Sequence, residues 1–270
     1  MSLRALLSGA APLVRVRIAQ VAGSSPREEG AFMLVSPDVV AGTIGGGAME
    51  YAGIDRARRM LARGEDVAVA DIALGPESGQ CCGGRVLLEF DVLDAAGRAA
   101  VLAEVAAAEA AQPEVLIFGA GHVGRALARA LALLPVRCVL IDSRAEELAL
   151  AQGGTQRRTA FPEAEVASAA PGAAVVIATH DHGLDFLLAG EALARGDLAY
   201  VGMIGSNTKR ARFASWARDH ATGAELARLT CPMAANAPAD KRPEVIAAFV
   251  ATEVLAAVLA FAAARAEVQA

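Results

Sequence analysis

Apolar Val14, Val16 and Ile18 alternate with Arg15 and Arg17, the two-residue period of a strand with one buried face. Two further apolar runs, AFMLV (31–35) and VVAGTI (39–44), flank Ser-Pro-Asp and predict a hairpin. After Gly47 the period lengthens: Met49, Gly53, Ala57 and Met60 fall on one helical face, with Glu50, Arg58 and Arg59 largely off it. Alternation returns in VLLEFDVL (86–93), through Val86, Leu88, Phe90 and Val92. These elements predict a small N-terminal α+β domain over residues 1–110.

The second half alternates strand and helix. EVLIFGAG (114–121) reads as a buried strand entering a turn, and HVGRALARALALL as the helix that follows. VRCVLID (136–142), AAVVIATH (173–180) and LAYVGMIG (198–205) are further strands. Strands separated by helices of this length predict a Rossmann-like, doubly wound parallel sheet over residues 111–270. The join is AAEAAQPE (107–114), an Ala-rich helix end closed by Pro113. The fold class is therefore α/β, with the α+β domain first.

Length and composition narrow this picture slightly. The 270 residues suffice for two cores, and at 55% hydrophobic but 4% aromatic those cores are built from Ala, Val and Leu. With 25 basic against 30 acidic residues the net charge is −5, which argues against a nucleic-acid partner. The longest apolar run, 245–264, contains Thr252 and Glu253. A carboxylate at mid-bilayer costs about 2.5–3.5 kcal/mol, which weakly apolar alanines offset poorly. The run predicts a helix buried in the protein or at a subunit interface, hence a homodimer and no membrane span. No basic and then apolar leader opens the chain, so the expected location is the cytoplasm, where thiols stay reduced.

Four glycine-bearing or polar segments carry candidate chemistry. GAGHVG (119–124) has the G-x-G-x-x-G spacing between a strand and a helix. Gly119 permits the tight turn, Gly121 the approach of a phosphate, and Gly124 close helix–strand packing, with His122 at the helix start. Asp142 ends the next strand, where a carboxylate bonds a ribose hydroxyl, and Arg144 would favour an additional phosphate. The same geometry takes any diphosphate or a phosphorylated pterin. ATHDHGLDF (178–186) sets His180, Asp181, His182 and Asp185 after a buried strand, where they line a polar site; Asp181 alternatively caps the next helix. GMIGSNTKR (202–210) offers Gly205, Ser206 as a cap, and Lys209 to meet an anion. In GTIGGGAME (42–50), Gly45, Gly46 and Gly47 can form an anion nest or lie against another loop, and Glu50 is either a capping carboxylate or a site residue.

Two of the 4 cysteines, Cys81 and Cys82, are adjacent within a glycine-rich loop, ESGQCCGG (77–84). A strained vicinal disulfide is a poor structural staple in a reducing compartment, and no second cysteine pair completes a zinc site. One exposed thiol fits better as a soft metal ligand or a sulfur relay. Cys138 reads as core, and Cys231, before Pro232, is left open.

Together these segments resemble the XdhC family, the xanthine dehydrogenase accessory proteins related to CoxI. The resemblance rests on AGSSPREEGAFMLV (22–35), GTIGGGAMEYAGIDRA (42–57), GQCCGG (79–84), LIFGAGHVGRALARAL (116–131), IDSR (141–144), ATHDHGLDFLL (178–188), YVGMIGS (200–206) and DKRPEVIAAFVATE (240–253). One departure follows CPM (231–233), where the family carries a glycine-containing turn and this chain has Ala234-Ala235-Asn236. The expectation is that Asn236 takes up the positive φ.

The resemblance implies a chaperone without turnover of its own. It would bind the molybdenum cofactor in its molybdopterin form and protect it while a cysteine desulfurase supplies the terminal sulfido ligand. It would then pass the cofactor to xanthine dehydrogenase. Cys81 or Cys82 would address the molybdenum, with the ligand in an accessible cleft between the domains. The competing reading is an NAD(P)-dependent oxidoreductase, which uses the Gly119–Asp142 segment and leaves the N-terminal glycine loops without a role.

Overall fold

The structure is a computed structural model that describes residues 2–74, 83–220, 222, 224–238 and 240–269. It divides into two compact units, Met1–Ala108 and Glu109–Ala270.

In the first unit a short helix α1 (Leu3–Leu7) precedes strands β1 (Val14–Ala22), β2 (Phe32–Val35) and β3 (Val40–Gly42). Helix α2 (Gly47–Arg63), strands β4 (Val67–Ala73) and β5 (Arg85–Val92), and helix α3 (Ala95–Ala110) follow. The strands form an antiparallel sheet in the order β3-β2-β1-β5-β4. Alternation sorts its side chains. Val14, Val16, Ile18, Met33 and Phe90 pack beneath Met49, Ala57 and Met60 of α2. Leu34 faces the other way, against α1 and α3. On that second face Arg15 and Arg17 pair with Asp91 and Glu89 across the β1–β5 register.

The second unit opens with β6 (Glu114–Phe118), α4 (His122–Leu131), β7 (Arg137–Asp142), α5 (Ala145–Ala149) and β8 (Thr155–Arg158). It continues with α6 (Pro162–Ser168), β9 (Ala174–Ile177), α7 (His182–Ala194), β10 (Tyr200–Met203), α8 (Asn207–Asp219), β11 (Leu229–Thr230) and α9 (Pro243–Gln269). All pairings are parallel, in the order β11-β10-β9-β6-β7-β8. Val115 and Ile117 of β6 pack with Leu127 and Leu131 of α4 and Val250 and Val254 of α9. Leu116 and Phe118 face Leu188 and Leu193 of α7 and Phe213 of α8. Both faces of the sheet are thus covered, which is why β6 and β9 are continuous apolar runs rather than alternating ones.

The chain leaves β6 toward β7 and β8, then returns to β9 on the other side and runs on to β10 and β11. That reversal is a topological switch point, and it opens a crevice at the carboxyl ends of β6 and β9.

Helix α9 is long and apolar enough, by length and composition alone, to cross a bilayer, with a mean hydropathy of 2.4. One face of it packs on α4 and the sheet through Ala247, Val250, Ala251, Val254 and Val258. Its carboxylate is also engaged: Glu253 accepts the Tyr200 hydroxyl at 2.6 Å and the Ala234 N–H at 2.9 Å. Burial, and then the Glu253 carboxylate, push the Tyr200 hydroxyl pKa up. The Ala234 turn differs from the expectation: the positive φ, 54°, falls on Ala234 and not on Asn236. The residue that takes the left-handed conformation is also the one whose N–H is held by Glu253.

Candidate functional site

The fingerprint glycines meet at the switch point. Gly119 has φ 108°, and a Cβ there would lie 2.4 Å from the Ala178 carbonyl oxygen, at the end of β9. A Cβ on Gly124 would lie 1.9 Å from the Gly119 oxygen. These two glycines therefore hold the β6 turn against β9 and α4 against the turn. Gly121 has open space around it, with no atom within 4 Å of a Cβ built there. It is the N-cap of α4, followed by exposed His122. The turn expected of Gly119 and the close helix–strand packing expected of Gly124 are found, and Gly121 leaves open space at the α4 amino end.

Asp142 does not present its carboxylate outward. Oδ2 accepts the Ala120 N–H at 2.7 Å and the Arg144 guanidinium at 2.8 Å; Oδ1 accepts the Arg144 backbone N–H and its Nε, both at 3.0 Å. Its side chain is 6% exposed. Burial opposes its ionisation, but the Arg144 guanidinium and the two backbone N–H groups outweigh this and hold the pKa at about 2. Arg144, expected to meet an extra phosphate, instead folds back onto Asp142. The sequence spacing placed both residues at the crevice but carried no sign that each would satisfy the other.

The loop after β9 is held from within. Asp181 caps α7 by accepting the Gly183 and Leu184 N–H groups at 2.7 and 3.1 Å, and these bonds lower its pKa. The capping alternative is therefore the arrangement found. Asp185 is fully buried, takes the Thr179 hydroxyl at 2.6 Å, and pairs with Lys209 of α8. Lys209 also donates to the Ile204 carbonyl at 2.9 Å. A Cβ on Gly205 would lie 2.5 Å from the Lys209 stem, so Gly205 makes room for this inward fold. Lys209 is thus a tie between loops rather than a free anion ligand, because the buried Asp185 carboxylate needs a partner. Ser206 caps α8 by accepting the Lys209 N–H at 3.4 Å.

Two grooves flank this loop and share Thr179 and His180. The larger, about 530 Å³, runs between the amino ends of α7 and α8. His180, His182, Ser206, Thr208 and Arg212 form its exposed rim, with Phe186 and Ile204 lower in its wall. The smaller, about 170 Å³, lies toward β7 and α6, walled by Phe118, Ile141, Ala160, Pro162, Leu184 and Leu188, with Glu163 at its edge. Sequence reasoning missed Arg212 and Glu163. The spacing of Arg212, one turn beyond Thr208 and Lys209, was a usable signal for the first, and nothing marked the second.

In the N-terminal unit the triple-glycine loop is an anion nest whose anion belongs to the chain. Glu50 accepts the Ile44 and Gly46 N–H groups at 2.9 and 3.1 Å and the Thr43 hydroxyl. Burial works against its charge, but these donors win and lower its pKa. Gly45 donates to Thr43, and a Cβ on it would lie 2.7 Å from Pro26, so the close neighbour is the loop after β1. Gly47 begins α2. Gly45, Gly46, Gly47 and Glu50 accordingly serve one another here.

Cys81 and Cys82 lie outside the described residues. Cys138 is core, and burial pushes its thiol up to about 12. Cys231 is buried with its Sγ 3.9 Å from the Ser206 carbonyl, and desolvation raises its pKa. Among the described residues, no group of three or more His, Cys, Asp or Glu side chains could hold a metal ion.

The fold defines a two-unit protein whose second unit is Rossmann-like. The chain belongs to the XdhC family: residues 115–254 match the XdhC Rossmann domain, and residues 6–71 match the XdhC and CoxI family. Among curated proteins it is similar to the uncharacterized protein YqeB of Escherichia coli (strain K12), at 26% identity over 263 residues. That match covers 90% of this chain but 43% of the relative, so the chain spans less than half of YqeB. The crystal structure of a xanthine dehydrogenase from Bacillus halodurans has the same fold, with a TM-score of 0.76, 18% identity and 96% of each chain covered.

Proposed function

We propose that this chain is an accessory protein of xanthine dehydrogenase maturation. It binds molybdopterin-type molybdenum cofactor as cargo, protects it while a cysteine desulfurase supplies its sulfido ligand, and delivers it to the dehydrogenase in the cytoplasm. Family membership supports the accessory role. The observation that carries the reading over an NAD(P)-dependent oxidoreductase is Asp142. An NAD enzyme uses that carboxylate for a ribose hydroxyl and an NADP enzyme a nearby arginine for the 2′-phosphate, whereas here Asp142 and Arg144 are spent on each other and on the Ala120 N–H.

What remains available suits a cargo that must enter and leave. Gly121 leaves backbone space at the α4 amino end, and the exposed rim of the larger groove offers imidazole, hydroxyl and guanidinium groups. Asp185, Thr179 and Lys209 hold the two loops in place without contributing free charge. Cys81 or Cys82 is the proposed thiol that addresses the molybdenum. The outward face of α9, with Phe249 and Leu259 exposed, supports a homodimer.

The test is to purify the protein from cells that make the cofactor and to assay bound molybdenum and pterin. Stoichiometric pterin is the expected result. Absence of both, together with tight NAD(P) binding, would establish the oxidoreductase instead. Light scattering at micromolar concentration should give a dimer, and a monomer would remove that part of the proposal.

A further inference from the structure

The two grooves differ in charge in a way that sorts the ends of a ligand. Among the described residues the larger groove is lined by Lys209, Arg212 and two histidines, and by no carboxylate, in a chain of net charge −5. Lys209 is neutralised by Asp185, and Asp181, between the histidines, spends its carboxylate on the N–H groups of α7. Arg212 is exposed and makes no ion pair or hydrogen bond with any described residue. Among the described residues it is therefore the available cation of this groove.

The smaller groove has the opposite character. Its walls are mainly apolar, with Ser143, Thr159, Thr179 and His180 among them, and its carboxylates are Asp142, already saturated, and Glu163. Glu163 makes no ion pair or hydrogen bond with any described residue and is half-buried at the groove's edge. A carboxylate is acceptor-only when ionised, so it matches a ligand edge that offers two adjacent N–H donors. The 2-amino-pyrimidinone edge of a pterin is such an edge, and a flat heterocycle fits between apolar walls.

We propose that the ligand straddles the Thr179–His180 bridge, with its pterin ring in the smaller groove against Glu163 and its phosphate in the larger groove against Arg212. This rests on the cofactor reading above and deepens it by giving each end of the cargo a place. Thr179 and His180 line both grooves, so a single molecule passing from one to the other crosses them. Arg212 acts through a charge-assisted, bidentate contact to phosphate. Glu163 acts by accepting from the ring.

The probe is the fluorescent oxidised pterin phosphate obtained from molybdopterin, compared with the same compound after phosphatase treatment, by fluorescence anisotropy on the full chain. Wild type should bind the phosphorylated form about tenfold or more tightly than the dephosphorylated one. Arg212→Gln should bring the first down to the second and leave the second unchanged, and Arg212→Lys should recover part of the loss. Glu163→Gln should weaken both forms alike, keeping their ratio. Equal affinity of wild type for the two forms, an equal loss of both in Arg212→Gln, or no effect of Glu163→Gln overturns the arrangement.

Phosphorus NMR line broadening of inorganic phosphate separates the two layers of the argument. If neither pterin binds but phosphate broadens in an Arg212-dependent way, the pterin assignment falls and the anion groove stands. If phosphate is also indifferent to the protein, both fall. Circular dichroism and melting of each variant confirm that the fold is intact.

Discussion

Asp185 of α7, with no exposed surface, and Lys209 of α8 form an ion pair that ties the ends of β9 and β10 together through Thr179 and Ile204. Removing one partner strands the other in the interior. Lys209→Met should therefore cost about 3–5 kcal/mol, read from urea denaturation. The double variant Asp185→Leu/Lys209→Met should cost clearly less than the sum of the single changes. Additive costs would mean that the two groups are not coupled.

The three fingerprint glycines should respond differently to one added methyl group. Gly124→Ala drives a Cβ to 1.9 Å from the Gly119 oxygen, so it should fail to yield a cooperatively folded second unit. Gly121→Ala meets nothing within 4 Å at φ −67°, and should fold at a cost of about 1 kcal/mol, from the poorer N-cap alone. Gly121 lines neither groove, so bound pterin should stay close to the wild-type level, and a marked drop would draw the ligand toward the α4 turn.

Ala234 sits at φ 54°, where an L side chain is strained. Ala234→Gly relieves this at the cost of a more flexible unfolded chain. The net expectation is a gain of about 0.5–1 kcal/mol, visible as a higher melting temperature. A decrease would show that the turn is held in place by more than its backbone preference.

Asp142 predicts an acid limb in the stability curve. Its folded pKa, about 2, lies below the usual value near 4. Its contribution is therefore fully present above about pH 4 and is lost as pH falls through about 2. Asp142→Asn should be less stable than wild type at neutral pH, and the gap should narrow between pH 4 and 2 in melting experiments. A gap independent of pH would contradict the pairing with Arg144.

Replacing Cys81 and Cys82 together by Ser should leave the melting temperature close to that of wild type while reducing retained or transferred cofactor. Unchanged loading and delivery would make these thiols bystanders.

Much of the fold was legible because the period of apolar positions reports which face of an element is covered. The buried face of α2 was readable as Met49, Gly53, Ala57 and Met60. Strand β4 was not readable: it turns Ala68, Ala70 and Ile72 inward while Val67 and Val69 are exposed, so apolar residues occupy both faces and no clean alternation marks the strand. Edge strand β8, Thr-Gln-Arg-Arg, is exposed throughout and has no apolar period at all. At the site, motif spacing located Asp142, Arg144, Asp185, Lys209 and Glu50 but not how they pair. Each pairing depends on three-dimensional proximity that spacing alone does not encode.

By itself the amino-acid order determined the alternation of strand and helix, the glycine turn between β6 and α4, and the segments that carry the XdhC resemblance. These depend on local backbone preference and on the period of burial, both of which are written along the chain. Only the tertiary structure decided which charges are spent. Arg144 on Asp142, Lys209 on Asp185 and the glycine nest on Glu50 are internal matches, whereas Arg212 and Glu163 are left facing the crevice. The physical reason is that a charged group's partner is set by distance and desolvation in three dimensions, and sequence separation carries neither.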